Sequence, residues 1–475
     1  MTTRHVHHLI IGAGPAGLGA AYRLKELGRT DFHIVESNRW VGGLASSFVD
    51  DHGFTWDIGG HVQFSHYPYF DAVMDRALGV DGWLHHQRES WVWMKNRFVP
   101  YPFQNNIRYL PKESIWRCLE GIIEITKNPR PRPTNFKEWV LAVFGAGIAA
   151  EFMSPYNFKV WAYPLEEMAF QWIGERVSVV DLNRVAQNVI LERDDLSWGP
   201  NNLFRFPLRG GTGAIWRSVG EMVGTENITL ERHIVGIEPE AKRALLDDGS
   251  TITYSHLLST IPLDKLAGLV RGFPVELRDT AQRLKHSTSN IIGVGIRGRP
   301  SPALATKCWM YFPEDNCPFY RVTLFSKYSP YNVPDASVYF SLMTETSESP
   351  VKPVNAATIT DETIAGLRAT GLLEPYHEVV STWTYRAEYG YPTPSLERDA
   401  ILDRVVPALE AHCIYSRGRF GGWKYEVSNQ DHTFMQGVEW ANFIVQGTPE
   451  TTLIINRTGI NSTGVNSTGA PAKSS

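Results

Sequence analysis

At 475 residues, with 43% hydrophobic and 20% charged residues, the chain is a globular protein too long for one simple core. A net charge of −4 offers neither a nucleic-acid surface nor a basic membrane face, and no apolar run approaches the roughly 20 residues of a membrane span. Cys118, Cys308, Cys317 and Cys413 are scattered without a Cys-x-x-Cys pair, so neither a metal site nor a disulfide framework is expected. The N-terminus enters a strand almost directly, leaving no room for a secretory signal, and the cytoplasm is the expected setting.

The first strand, Leu9-Ile10-Ile11, runs at once into Gly12-Ala13-Gly14-Pro15-Ala16-Gly17. A helix over 14–27 and a second apolar strand ending in Glu36 follow. That order is a dinucleotide-binding βαβ unit. Gly12 permits the tight turn, Gly14 lets backbone approach a pyrophosphate, and Gly17 lets helix and strand pack closely. The helix N-terminus meets phosphates with free N–H groups. Glu36, followed by Ser37, stands about 20 residues on, where the ribose-binding acid belongs. Val41-Gly42-Gly43-Leu44 and Asp57-Ile58-Gly59-Gly60-His61 then resemble the extended FAD fingerprint of flavoprotein oxidases and desaturases. His5, His7 and His8 have no acidic or cysteine partner and read as exposed strand-edge histidines.

Further along, 67–79 reads as a helix and Trp91–Val99 as a hairpin turning at Lys95-Asn96. Helical periodicity governs 106–203. This region contains two glycine-bearing loops, around Gly174-Glu175-Arg176 and Trp198-Gly199-Pro200-Asn201, that are expected to move. A helix near 214–223 precedes a β stretch containing Val235, and His256–Thr260 reads as a strand returning to the nucleotide sheet. Leu263–Leu284 is expected to be one connecting helix, with strands at 289–297, 307–312, 319–326, 336–344 and 379–385. A C-terminal helix spans about 433–446. The fold class is therefore α/β. A Rossmann-type FAD-binding domain (1–90, 204–262, 413–450) is interleaved with a connector (91–105), a helical subdomain (106–203) and a mainly antiparallel sheet domain (263–412). The tail, 451–475, reads as disordered, and its three Asn-x-Thr triplets at Asn456, Asn461 and Asn466 read as chance products of its composition.

No Ser-His-Asp order or Walker loop stands out. Tyrosines and arginines cluster instead: Trp309, Tyr311, Tyr320-Arg321, Tyr328, Tyr331, Tyr391 and Tyr425, with Arg176 and Arg419. Guanidinium forks with neutral hydroxyl donors suit a pyrophosphate-bearing substrate. The same residues read equally well as half-buried sheet tyrosines and surface ion pairs.

Ten stretches, at 40–46, 59–67, 99–107, 155–162, 174–177, 198–207, 307–321, 328–332, 390–394 and 416–431, resemble eukaryotic UDP-galactopyranose mutases, over about residues 8–447. The resemblance implies interconversion of UDP-galactopyranose and UDP-galactofuranose without net redox change, requiring reduced FAD supplied with electrons by NADPH. It implies covalent catalysis in which the flavin N5 attacks the anomeric carbon, UDP leaves, and the sugar opens and recloses. FAD contacts would come from Gly12, Gly14, Ala16, Gly17, Glu36, Ser37, Gly42, Gly43, Leu44, Gly60, His61, Val235, Arg419, Asn429 and Gln430. Arg176 and Arg321 would hold the diphosphate, with Tyr311, Tyr328, Tyr391 and Tyr425 as hydroxyl donors and Trp309 beside them. Tyr101, Gln104, Phe152, Tyr156, Asn157 and Trp161 would form the uridine pocket, Asn201 a flap, and Asn429 a further substrate contact. His61, Arg176, Arg321 and Arg419 form the implied catalytic set, and subunit assembly stays open. Two rival readings share the nucleotide domain. An amine-oxidase-type oxidase or desaturase would have an apolar substrate cavity without paired arginines. A non-catalytic binding protein like the Rab escort proteins would hold no tight flavin.

Overall fold

The computed structural model describes residues 3–174, 177–196 and 202–453. Its first layer is the nucleotide sheet. The strands Thr251–Ser259, Thr3–Ile11, Phe32–Val35 and Ile228–Thr229 run parallel in that order, and Ile414–Ser416 pairs parallel on the outer side of Thr251–Ser259. The antiparallel strands Arg243–Leu246 and Ile234–Glu238 extend one edge. Leu9, Ile10, Phe32, Ile34, Leu257 and Leu258 are all buried, as expected of strands covered on both faces. The parallel order explains the short apolar runs that the sequence shows.

The helix Pro15–Glu26 covers one face, with Pro15 at its first position and Arg23 and Lys25 in its last turn. The C-terminal helix Gln430–Gln446 crosses it with backbones nearly touching. A Cβ on Gly437 would lie 2.0 Å from the Ala16 carbonyl oxygen, and one on Gly19 would lie 2.5 Å from that of Phe434. Two glycines therefore let the chain's last helix return to its first.

The second layer is a seven-stranded sheet in the order Glu378–Pro392, His286–Arg297, Tyr339–Glu348, Arg321–Leu324, Trp309–Tyr311, Ser90–Met94 and Arg97–Pro100. All pairs are antiparallel except Trp309–Tyr311 with Ser90–Met94. The Lys95-Asn96 turn has φ of 51° and 57°, the left-handed pair that a tight hairpin needs. The 91–105 connector is thus an edge of the substrate sheet.

Leu263–Leu284 is not one helix but two, Leu263–Leu269 and Val275–Ala281, because Gly272 turns at φ 75° and Pro274 starts a new N-terminus. With Arg398–Glu410, both pack into the core of the nucleotide sheet through Leu263, Leu266, Ala281, Ile401 and Val405. The sheet domain itself therefore begins near His286 and ends near Pro392, inside the expected span of 263–412.

The helical subdomain comprises Lys112–Lys127, Phe136–Ile148, Ser154–Trp161 and Leu182–Ile190, around a core it shares with Val92, Met94 and Val99 of the second sheet's edge strands. The continuous helical run Phe136–Trp161 is, by length and composition, long enough and apolar enough to cross a membrane, against the expectation that no such stretch exists. Gly145 breaks it with φ 72°, and its apolar positions Val140, Phe144, Ile148 and Phe152 face the subdomain core. The tail beyond Leu453, with its three Asn-x-Thr triplets, lies outside the described residues.

Candidate active site

One cavity of about 1300 Å³ runs between the two layers. Its nucleotide end is made by Gly12, Gly14, Ala16, Glu36, Ser37, Gly43 and Leu44. Gly12 has φ +100° and donates its N–H to the Val35 carbonyl at 2.8 Å. A Cβ there would meet Thr260 Oγ1 at 2.2 Å. A Cβ on Gly14 would find its nearest neighbour, Gly43 Cα, only at 3.9 Å, so the backbone is open for a ligand's close approach. Gly17 and Gly42 do not line the cavity; they shape it. A Cβ on Gly17 would lie 1.9 Å from the Gly12 carbonyl oxygen, and Gly42 donates its N–H to the Ala13 carbonyl at 2.8 Å.

The helix Pro15–Glu26 opens on the cavity without a side-chain cap or an acidic residue in its first turn. Its first N–H groups therefore remain for an anion. Among the described residues, Glu36 Oε2 accepts only the Ala13 N–H, at 2.7 Å, while Oε1 takes the Asn38 N–H and Nδ2 and the Ser37 hydroxyl. One lone pair on Oε2 is thus left for a ribose hydroxyl. This donor and acceptor set fits a dinucleotide such as FAD. Val235 itself does not line the cavity: at a register irregularity between Ile234 and Gly236 its side chain is 53% exposed, and Arg232, His233 and Ile234 form the wall.

Asp57, the first residue of the Asp57–His61 fingerprint, is fully buried and does not itself line the cavity. Its carboxylate accepts hydrogen bonds from Ser47 Oγ and Thr212 Oγ1 at 2.5 and 2.7 Å. Burial pushes its carboxyl up to about 6.

Gly60, His61 and Arg419 also line the cavity. Burial drives the His61 imidazole down to about 4, so it is neutral at pH 7, and its Nδ1 has no partner among the described residues. Arg419 donates to the Gly390 carbonyl through Nε and Nη2 at 3.1 and 3.0 Å, and to Ser428 Oγ at 2.9 Å through Nη1. It lies over the Tyr391 ring at 4.8 Å. Asn429 stands at the N-cap position of the helix Gln430–Gln446 without a side-chain capping bond, and Gln430 accepts the Trp216 indole N–H at 2.7 Å. Next to it, Asp431 accepts from the backbone N–H and Nδ1 of His66 and from Nδ1 of His432. These three side chains satisfy one another and tie the 61–66 segment to that helix.

At the far end stand Tyr101, Tyr311, Arg321, Tyr391 and Tyr425. Burial raises the phenols of Tyr101, Tyr311 and Tyr391, so they stay protonated and can donate. Arg321, expected to hold the diphosphate, is already ion-paired. Its Nε and Nη2 donate to the two oxygens of Glu345 at 2.8 and 2.7 Å. Arg88, over the Tyr101 ring at 5.5 Å, also lines this end. The sequence reading missed Glu345 and Arg88, and no local motif marks either.

The remaining expected substrate residues stand behind this wall. Tyr156 packs on Tyr311 and stacks on Phe152 at 5.0 Å, Trp309 donates its indole N–H to Tyr311 Oη at 2.6 Å, and Trp161 packs on Tyr425 at 4.8 Å. Asn157 donates back to the Met153 carbonyl, and Gln104 to that of Ser178. Tyr328 is buried among Phe204, Phe206 and Phe325, off the cavity. Tyr331 lies outside the site, beneath Arg209. Arg176 and Asn201 lie outside the described residues.

The flavin containing amine oxidoreductase family matches residues 15–422. The crystal structure of a reduced UDP-galactopyranose mutase is similar with a TM-score of 0.92 and 49% identity, covering 94% of this chain and 97% of that one. A CLA-producing fatty acid isomerase from P. acnes has a TM-score of 0.61 at 15% identity over 93% of this chain and 99% of its own, which shows the fold alone. The 15-cis-phytoene desaturase, chloroplastic/chromoplastic, of Capsicum annuum is 27% identical over 182 residues. That match spans 37% of this chain and only 29% of the desaturase.

Proposed function

The chain belongs to the UDP-galactopyranose mutases, within the flavin containing amine oxidoreductase family, and on that premise we propose that it interconverts UDP-galactopyranose and UDP-galactofuranose with FAD and no net redox change. One observation carries this reading. A single cavity joins a dinucleotide cradle at Gly12–Gly14 to an end lined by Arg321, Tyr311, Tyr391 and Tyr425. An oxidase of the amine-oxidase type calls instead for an apolar far end.

When bound, reduced FAD supplies the nucleophile for the anomeric carbon through its N5, which explains a site without a protein nucleophile. The protein's own groups hold and orient. The bare N-terminus of the helix Pro15–Glu26 takes the FAD pyrophosphate, and Glu36 Oε2 takes a ribose hydroxyl. Arg321, whose Nε and inner Nη2 hydrogen are taken by Glu345, meets the substrate diphosphate end-on through Nη1. Tyr311, Tyr391 and Tyr425 donate hydroxyls without adding charge. The neutral His61 can accept or donate a hydrogen bond at Nδ1, according to its tautomer, without carrying a cation into the site. Arg176 and Asn201 are assigned to the substrate by resemblance, and Arg176→Ala is expected to lower catalytic efficiency strongly while FAD stays bound. NADPH as the electron donor and a cytoplasmic setting belong to the same proposal.

The test is a product assay with UDP-galactofuranose on dithionite-reduced and oxidised protein, side by side. Conversion to UDP-galactopyranose in the reduced sample alone supports the proposal. A yellow protein with no conversion in either state refutes it in favour of the oxidase.

A further inference from the structure

Glu345 is 3% exposed and sits on the strand Tyr339–Glu348, directly opposite Arg321 in the antiparallel register. Its Oε1 accepts the Gly60 N–H at 2.9 Å and Arg321 Nε at 2.8 Å. Its Oε2 accepts the Tyr320 hydroxyl at 2.8 Å and Arg321 Nη2 at 2.7 Å. Four donors thus converge on one buried carboxylate, and they hold it ionised, below the usual glutamate range, against the cost of burial. The contact with the 59–61 segment is close. A Cβ on Gly59 would lie 3.4 Å from Glu345 Oε2, and one on Gly60 would lie 3.3 Å from Oε1. His61 follows immediately and faces the cavity.

We propose that Glu345 is a positioning residue that locks the substrate-side Arg321 and the cofactor-side segment 59–61 to one carboxylate, so that neither moves without the other. The inference deepens the proposed function and rests on it. Two consequences follow from the geometry. Arg321 is held on a rigid strand pair and lines the cavity with its Nε–Nη2 edge already taken, which leaves Nη1 and the outer Nη2 hydrogen for a ligand. The Arg321–Glu345 pair is also formally neutral, so Glu345 weakens the attraction of the site for a diphosphate while fixing where the diphosphate lies. The carboxylate thus trades ground-state affinity for alignment.

Glu345→Gln separates these two effects. The amide nitrogen cannot accept a hydrogen bond, so either Tyr320 and Arg321 Nη2 or Gly60 and Arg321 Nε lose their acceptor. The negative charge beside the diphosphate also disappears. The holoenzyme and its Glu345→Gln variant are compared in FAD-to-protein ratio, melting temperature, Kd for UDP, and kcat for UDP-galactofuranose after dithionite reduction. The expected result is FAD retained, kcat lowered at least tenfold, and UDP bound two- to tenfold more tightly. Opposite movement of kcat and UDP affinity is a signature that a merely structural role does not give. The proposal is overturned if both values stay within twofold of the parent, if UDP binding weakens along with kcat, or if FAD is lost while kcat per bound FAD is unchanged.

Glu345→Asp serves if the glutamine variant does not fold. It keeps the charge but is one methylene too short to span Gly60 and Arg321, so kcat should fall at least fivefold with UDP affinity within twofold. An unchanged kcat overturns the proposal. Because UDP affinity is read without turnover, a parent that binds UDP but never isomerises sinks the proposed function, while the UDP comparison still tests Glu345.

Discussion

At the nucleotide end of the cavity the contacts come from backbone, at Gly12, Gly14 and the uncapped start of the helix Pro15–Glu26. At the far end they come from side chains distant in sequence: Arg321, Tyr391, Arg419 and Tyr425. A backbone site is intolerant of added atoms, because there is no side chain to move aside. A side-chain site tolerates small changes of shape but depends on what each charged group leans on. Arg321 leans on Glu345, and Arg419 on the Gly390 carbonyl and Ser428. The first end should therefore fail as a whole, and the second by degrees.

The sharpest way to break the comparison is Gly17→Ala. Its Cβ would sit 1.9 Å from the Gly12 carbonyl oxygen, so the turn must shift. We expect colourless protein with FAD affinity lowered at least ~100-fold, about 3 kcal/mol. A yellow variant with normal FAD content would show that the backbone end tolerates added atoms after all. Arg321→Ala comes next. It removes a diphosphate contact and strands a buried Glu345, so catalytic efficiency should fall by about 2–5 kcal/mol in transition-state terms, with FAD retained. Steady-state kinetics on flavin-normalised enzyme decide it, and unchanged efficiency would place the diphosphate elsewhere. Tyr391→Phe should cost least at this end, about 1 kcal/mol for one hydroxyl, read as a several-fold loss in kcat/KM.

Outside the site the effect is smaller and depends on pH. His8, expected to lie exposed at a strand edge with His5 and His7, is instead buried, because its strand is paired on both sides; burial drives its imidazole and that of the buried His33 down to about 4, against 6.5 for a free histidine. Below pH 6.5 the unfolded chain takes up protons that the folded chain refuses. The stability these neutral histidines give is therefore full above pH 6.5 and is lost as pH falls towards 4. Comparing urea midpoints at pH 7 and pH 4.5, His8→Leu should flatten the drop by of order 1 kcal/mol. An identical pH slope in the variant would show that His8 does not contribute.

The same contrast governs how much could be read from sequence. The dinucleotide unit was legible because strand, glycine turn, helix and acid follow one another within the first 36 residues. The Lys95-Asn96 hairpin and the C-terminal helix were legible for the same local reason. Glu345 was not, because its partners Gly60 and Arg321 meet it only through strand pairing and the docking of a separate loop. Asp57 with Thr212, and His66 with Asp431, are hidden in the same way. Tyr391 and Tyr328 look alike as sheet-region tyrosines, yet only Tyr391 reaches the cavity. The break at Gly272-Phe273-Pro274 was readable, but the apolar residues on both sides continue a helical pattern across it.

The most direct measurement is a crystal structure of the reduced protein with FAD and UDP. The account predicts the FAD pyrophosphate at the N-terminus of the helix Pro15–Glu26, the isoalloxazine between Gly60–His61 and Arg419, and the UDP diphosphate within hydrogen-bond reach of Arg321 Nη1 with Glu345 still paired. UDP bound away from Arg321, or Arg321 swung free of Glu345 to grip it as a fork, would contradict the account.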